Sequence, residues 1–232
     1  MEMKIILAGA TGDIGTAIAQ KLYESGHELF LLYRDKQKLE CLLARLRAEH
    51  KISSFPLSPL DLGNLEKELR VFKPDVFITA LGDGYYNKIE NISLDELDSC
   101  YVANFRLNFA LIQKSYQIFL AQKKGHIILI NSVSGLEGFP YGGMYCSFKF
   151  ALRGLAEVLY KEGKRYNIRV SSIYPGVVKT KLLHKMPFKP KEKDCILPKD
   201  IAKAVEFILN QPLYSEIKDL VIKNNSLHWG KN

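Results

Sequence analysis

What the 232-residue chain lacks narrows it first. No apolar run approaches the ~20 residues that a membrane-spanning helix needs. The longest, such as Leu29 to Tyr33 and Ile127 to Ile130, are strand-sized. The four cysteines, Cys41, Cys100, Cys146 and Cys195, are scattered without metal-ligand spacing, so reduced thiols are expected and no metal site. The opening Met1-Glu2-Met3-Lys4 has none of the charged, apolar and small-residue zones of a secretory leader, and a cytoplasmic location is expected. Repeats, low-complexity segments and Pro/Gly/Ser-rich linkers are also missing. Residues 1–232 are therefore expected to form a single domain, with no separate substrate domain. The net charge is +8, but lysines and arginines are spread along the chain, and the densest stretch, Lys185 to Lys193, is interrupted by Pro187 and Pro190. That distribution reads as a solvated basic surface and a mobile loop, so neither nucleic acid nor a membrane is an expected partner.

What is present is an ordinary globular balance, 47% apolar and 25% charged. Short apolar runs alternate with helical periodicity. Lys4 to Ala8 reads as a strand, Ile14 to Ser25 as a helix stopped by Gly26, Leu29 to Tyr33 as a strand, and Leu39, Leu42, Leu43 and Leu46 as one helical face. Phe55-Pro56-Leu57 is a weaker strand, Leu62 to Phe72 a helix, Asp75 to Ala80 a strongly apolar strand and Ser93 to Lys123 a long helical tract. Gly125 to Asn131, Ile168 to Tyr174 and Ile217 to Ile222 complete seven strands, with helices at Gly143 to Tyr166 and Pro198 to Asn210. Strands buried on both faces and joined by helical crossovers give an α/β, doubly wound, mostly parallel seven-stranded sheet with helices on both faces.

Gly9-Ala-Thr11-Gly12-Asp13-Ile14-Gly15 directly follows the first strand and opens the first helix, the context a dinucleotide fingerprint of the Rossmann type requires. Glycines let the backbone approach a pyrophosphate, and the helix N-terminus offers free N–H groups. The alternative is a tight turn without ligand. Asp13 beside a pyrophosphate would be repulsive, so its expected role is to cap the helix. At the end of the second strand stand Tyr33 and Arg34, where an acid would hold the ribose 2′-hydroxyl of NAD. The first acid is Asp35, one place further on, whereas the Arg34 fork suits a 2′-phosphate. NADP(H) is therefore favoured over NAD(H), the alternative being that Arg34 simply lies in solvent.

Tyr145 and Lys149 lie four apart in a predicted helix and share a face. A free tyrosine titrates near pH ~10 and is a poor base; a nearby cation stabilises its phenolate and makes it a usable proton donor or acceptor. Taken alone, such a pair is more often a surface contact.

Together the glycine turn, Ser132 and Tyr145-x-x-x-Lys149 resemble the short-chain dehydrogenase/reductase family, and the resemblance runs through nearly the whole chain to Ile222. Ser132, thirteen residues before Tyr145, is similar to the family's catalytic serine, and Asn104, twenty-eight before Ser132, to the asparagine that anchors a proton-relay water. Ser134 reads as a loop hydroxyl. Pro175, Gly176, Val178 and Thr180 resemble the segment that holds the nicotinamide carboxamide, Asp61 and Leu62 the adenine-contacting pair, and Leu81 and Gly82 the segment flanking the adenine ribose. The resemblance implies an NADP(H)-dependent carbonyl reductase or alcohol dehydrogenase. Tyr145 would donate the proton, Ser132 orient the carbonyl, Lys149 bind the nicotinamide ribose and lower the tyrosine pKa, and Asn104 maintain the water chain. It also implies a small-molecule carbonyl or alcohol substrate and a homodimer or homotetramer.

Several positions depart from the family pattern. Glycines at 9, 12 and 15 resemble the longer sugar-epimerising branch, whose C-terminal substrate domain this length does not supply. Thr79-Ala80-Leu81-Gly82 replaces the usual Asn-Asn-Ala-Gly, removing side chains that steady the central sheet. Phe148 stands where a small residue is usual, which would alter packing beside the nicotinamide. A substrate lid is expected at about 181–197, with Met186 and Phe188 or Lys185 and Lys189 as candidate substrate contacts. Trp229 reads as a packing or subunit-contact residue rather than a site residue. The alternatives are a cofactor-sensing protein without turnover and a sugar-nucleotide epimerase-like enzyme; intact Asn104, Ser132, Tyr145 and Lys149 argue against the first.

Overall fold

The computed structural model describes residues 2–47, 51–58 and 62–225. Seven strands form one sheet, β1 (Lys4–Ala8), β2 (Glu28–Tyr33), β3 (Ile52–Pro56), β4 (Val76–Thr79), β5 (Gly125–Ile130), β6 (Ile168–Pro175) and β7 (Asp219–Ile222). Every pairing is parallel, in the order β3-β2-β1-β4-β5-β6-β7. The order reverses between β1 and β4, which opens a crevice at the carboxyl ends of those two strands, where ligands bind in sheets of this kind. Among the described residues there are seven α-helices, α1 (Asp13–Glu24), α2 (Lys36–Leu46), α3 (Leu62–Phe72), α4 (Leu94–Tyr101), α5 (Leu107–Gln122), α6 (Gly143–Gly163) and α7 (Pro198–Leu209); six cover the two faces and α4 packs on α6.

The period-2 alternation of the strands splits the interior into two cores. Ile5 and Leu7 point to one face with Ile18, Leu42, Ile201 and Val205, so α1, α2 and α7 lie there. Ile6 and Ala8 point to the other with Leu65, Leu111, Leu152 and Leu159, so α3, α5 and α6 lie opposite. The central strands are buried on both sides, as their unbroken apolar runs require. None of the helices in the described residues is long and apolar enough to cross a membrane.

The differences from the sequence reading are local. The third strand runs Ile52–Pro56 rather than around Phe55–Leu57, with Pro56 as the last residue of an edge strand, a position that needs no ladder donor there. The tract from Ser93 to Lys123 is three segments, α4, a π-helical turn at Val102–Arg106 and α5. Its start is fixed by a capping box between Ser93 and Glu96. Trp229 and Asp61 lie outside the described residues.

Candidate active site

Gly9 leaves β1 at φ +80°, and a Cβ there would stand 3.0 Å from the Ala80 carbonyl. Gly15, in the first turn of α1, is packed so closely on the Gly9 carbonyl that a Cβ would sit 2.0 Å from its oxygen. The turn is therefore folded onto itself at the switch point, and only glycine satisfies both positions. Gly12 is the N-cap of α1 and no side chain caps it, so the N–H groups of the first turn face the crevice unclaimed by any side chain. That cradle and helix end fit the pyrophosphate of a dinucleotide. Asp13 does not cap the helix as expected. Its Oδ2 accepts from the Lys181 N–H at 2.7 Å, so the carboxylate turns away from the turn and ties it to the segment after β6.

Arg34 is exposed and lines a hollow with Leu57, Leu81, Gly82 and Tyr85, while half-buried Tyr33 packs on the α1 side. Asp35 is committed elsewhere: it caps α2 through the Lys38 N–H at 3.1 Å and is ion-paired with the Lys38 ammonium. The carboxylate one place beyond Arg34 is thereby occupied, and the guanidinium stands open at the rim. Thr11 lies on the far side of α1's N-terminus, in a groove with Lys38, Lys179 and Lys181. Leu62 opens α3 and packs into the second core.

Ser132, Tyr145 and Thr180 line one pocket together with Ile14 of the first turn of α1 and the Pro175-Gly176-Val177-Val178 segment. Ser132 follows β5, and its Oγ accepts from the Ser134 N–H at 3.1 Å and donates to Ser134 Oγ at 3.0 Å, which fixes its rotamer. Ser134 is thus a support rather than a free loop hydroxyl. Lys149 is only 2% exposed, and its Nζ lies 5.5 Å from the centre of the Tyr145 ring. Burial lowers its pKa to about 8, with Cys100 acting weakly the other way. Burial likewise raises the Tyr145 phenol to about 12, opposed by the Ser132 hydroxyl beside it. Among the described residues no carboxylate is ion-paired with Lys149, an arrangement that suits neutral hydroxyl acceptors such as those of a ribose. Asn131 holds the helix in place, donating through Nδ2 to the Lys149 carbonyl at 3.1 Å.

Asn104 is fully buried in the π-helical turn. Its Nδ2 donates to the Asp83 carbonyl at 3.0 Å and its Oδ1 accepts from the Asp83 N–H at 3.1 Å, so both ends of the amide clamp the segment after β4. Asn108, which the sequence reading passed over, donates to the Asn104 carbonyl at 3.0 Å and is hydrogen-bonded through Oδ1 to the Thr79 hydroxyl. The departure at Thr79 therefore does not leave the central sheet unsupported: a Thr79–Asn108–Asn104 chain links β4 to α5. Gly82 fits between the Asn104 amide and the Lys149 ammonium, since a Cβ would stand 3.1 Å from both Asn104 Oδ1 and Lys149 Nζ. Phe148 stays clear of the pocket; its ring lies 5.6 Å from that of Tyr101, because consecutive helical residues diverge by ~100° and Lys149 faces inward.

After β6, Asn224 clamps the backbone: its Oδ1 accepts from the Val177 N–H at 2.7 Å and its Nδ2 donates to the Val177 and Asp194 carbonyls, each at 2.9 Å. The expected lid carries short 3₁₀ turns at Lys181–Lys185 and Glu192–Asp194. It is pinned rather than free. Lys185 Nζ meets both carboxylate oxygens of Asp83 at 2.6 and 2.7 Å, Lys181 is held by Asp13, and Val178 bridges Ile196. Leu182 and Met186 line the pocket, as does Tyr86, also missed in the sequence, which lies with Leu182 over Gly84. No local pattern marks Asp83, Tyr86 or Asn108; their roles arise only from strand order.

Residues 3–190 match the family profile described as short chain dehydrogenase. An uncharacterized oxidoreductase of Staphylococcus aureus strain MW2 is 29% identical over 226 residues, covering 94% of this chain and 95% of that protein. An alcohol dehydrogenase from the archaeon Thermococcus sibiricus, solved with 5-hydroxy-NADP, superposes with a TM-score of 0.88 at 26% identity over 100% of both chains. A beta-ketoacyl-[ACP] reductase from Bacteroides thetaiotaomicron superposes at 0.81 with 27% identity, covering 96% of this chain and 97% of that one.

Proposed function

The chain belongs to the short-chain dehydrogenase family of oxidoreductases, and from that premise we propose that it interconverts a carbonyl and an alcohol with NADP(H), using Tyr145 as general acid and base. The observation that carries this reading is the convergence of Ser132 and Tyr145 on one pocket, with a buried Lys149 ammonium against the tyrosine ring and, among the described residues, no carboxylate ion-paired with it. The dinucleotide, when bound, supplies the hydride donor or acceptor. The rest falls to the chain. In reduction the Tyr145 O–H passes its proton to the carbonyl oxygen, and burial keeps the phenol in the protonated form that this direction needs. Ser132, turning the O–H that it gives to Ser134 Oγ toward the same oxygen while still accepting from the Ser134 N–H, donates a second hydrogen bond and stabilises negative charge as it develops. Lys149 supplies a fixed positive charge beside the phenol, favouring its ionised form after the proton has left. Asn104 acts as a positioning residue, holding Asp83 and Gly82 against Lys149.

The NADP(H) preference rests on the open guanidinium of Arg34 and on Asp35 being consumed as a helix cap. Support comes from the 5-hydroxy-NADP bound by the Thermococcus enzyme. Titration of the purified protein should give tighter binding of NADPH than NADH, and Arg34→Leu should lose roughly 10- to 100-fold in NADPH affinity while NADH binding holds. Equal affinities for the two dinucleotides in the wild type would remove the preference.

A homo-oligomer, dimer or tetramer, is part of the same proposal. Tyr101, Phe105 and Phe109 form a ladder of rings at 6.0 Å spacing from the end of α4 through the π-helical turn into α5, with Tyr101 at 38% and Phe109 at 40% exposed. An aromatic stripe of this kind is what a subunit contact buries. Phe109→Glu should convert the assembly to monomers in sedimentation velocity; a wild type that already sediments as a monomer at micromolar concentration would refute it.

A further inference from the structure

Tyr86 lines the same pocket as Ser132 and Tyr145, and nothing in the catalytic scheme uses it. Its ring packs 5.6 Å from that of Tyr145 and 6.0 Å from that of Phe139, tilted against both. Gly84 lies so close that a Cβ there would stand 2.7 Å from Tyr86 Cε2. The next residue, Asn87, is strapped to the loop before α6, its N–H donating to the Tyr141 carbonyl at 2.9 Å. The side chain is therefore held in one orientation. Yet its hydroxyl is buried with no hydrogen-bond partner, one of five such side-chain atoms among the described residues. Of the pocket's residues only Asn131 shares that condition, and its unpaired oxygen is packed beside Gly135. Burial, with Tyr145 nearby, drives the Tyr86 phenol far above its ordinary value, so it remains a neutral O–H at any working pH. A buried hydroxyl without a partner is costly, and a rigid one beside a reacting group is how a binding site selects for a polar ligand atom.

Resting on the reading of this site as a carbonyl–alcohol oxidoreductase, we propose that Tyr86 is a substrate-recognition residue, and that the substrate carries a second oxygen near the one that reacts. The two rings pack 5.6 Å apart in the lining of one pocket, so a substrate whose reacting oxygen meets Tyr145 and Ser132 would need its second oxygen close by, on the adjacent carbon or the next one along, to meet Tyr86. The class is thus vicinal or 1,3-dioxygenated: diketones, hydroxyketones and ketoesters. A hydrogen bond from Tyr86 to the second oxygen would satisfy the stranded hydroxyl and fix which face of the carbonyl is presented.

The test compares wild type with Tyr86→Phe on two matched pairs, diacetyl with butanone and acetylacetone with methyl propyl ketone. Because each variant sees both members of a pair, the higher intrinsic electrophilicity of the diketone cancels in the ratio. The loss of kcat/KM on the diketone should exceed the loss on its monoketone partner by roughly 10- to 100-fold, and the melting temperature should hold or rise, since a buried unsatisfied hydroxyl is removed. Equal losses on both members, or a lowered melting temperature, would make Tyr86 a packing residue and overturn the inference. A wild type inactive on all four compounds would instead remove the enzymatic reading on which the inference rests. Turnover by the wild type with no discrimination by the variant would remove the inference alone.

Discussion

Tyr145→Phe should lower carbonyl turnover by roughly 10³-fold or more while leaving dinucleotide affinity within about threefold, because it removes one proton and little else. The ring stays: it packs against Tyr86 and beneath the Lys149 ammonium, and phenylalanine keeps both contacts. What disappears is the O–H that would protonate the carbonyl oxygen, and no other group among the described residues of the pocket replaces it. Ser132 is tied to Ser134 and has no base to restore its proton. The Tyr86 hydroxyl is buried with a pKa pushed still further up, so it is the weaker acid of the two. Single-turnover measurements with saturating cofactor, alongside a binding titration, separate the proton step from binding. Retention of a tenth or more of wild-type turnover would mean that another group carries the proton, and the assignment of Tyr145 would fall.

Lys149→Met should abolish most turnover and yet stabilise the protein at neutral pH. In the fold the ammonium titrates near 8, in the unfolded chain near 10.5, because burial disfavours the charged form. Below pH 8 both states hold the proton, and the fold bears the whole penalty of burying it. Between the two values the unfolded chain holds the extra proton, so stability climbs as pH rises, until the penalty is gone above 10.5. The shift corresponds to a penalty on the order of 3 kcal/mol. Methionine, similar in length and uncharged, escapes it. Thermal melts should therefore show Lys149→Met several degrees above wild type at pH 7, with the gap closing from pH 8 upward. Cys100 feels the Lys149 charge, so the comparison is read below pH ~10, where the folded Cys100 thiol and Tyr145 phenol, raised by burial to about 11 and about 12, keep their protons in both proteins. A gap that is absent at pH 7, or that does not change with pH, would mean the ammonium is compensated in the fold. Stability given up at this position to hold a charge beside a phenol is what an active site, rather than a structural ion pair, would show.

The sheet, its order of elements and the glycine turn were readable because their signals are local. An apolar run, a periodicity of 3.6 and the spacing of Gly9, Gly12 and Gly15 do not depend on what lies across the molecule. The Tyr145–Lys149 pair was readable for the same reason, one helix carrying both residues on one face. Asp13 shows where this ends: a carboxylate at a helix start suggests a cap, but its partner is an N–H 168 residues away in sequence, brought there by the crossover after β6. Asn108 and Thr79 likewise meet only because β4 and α5 are neighbours, and neither residue carries a pattern of its own. Tyr86 is more instructive, since what marks it is a missing partner, a property that exists only once the chain is folded. Phe148 could have been placed correctly from the start. A residue next to Lys149 on a helix must look elsewhere.

The parallel sheet described above has a consequence for how such a chain can change over generations. With every strand pointing the same way, the first βα turn, the segment after β4, the Ser132 turn and the lid all gather on one rim, and the opposite rim carries only connections. The interior of the strands is committed to the two cores, while the Thr79–Asn108–Asn104 chain bolts the reactive rim to α5 from beneath. Foldability and ligand choice are thus written on separate parts of the sequence. Residues 84–88 and 181–197 can be lengthened, recharged or exchanged with little cost to the cores, whereas a change in a central strand is felt throughout. Substrate range should accordingly be the trait that diverges fastest among descendants of this chain, with the dinucleotide turn and the Tyr145–Lys149 face inherited nearly unchanged.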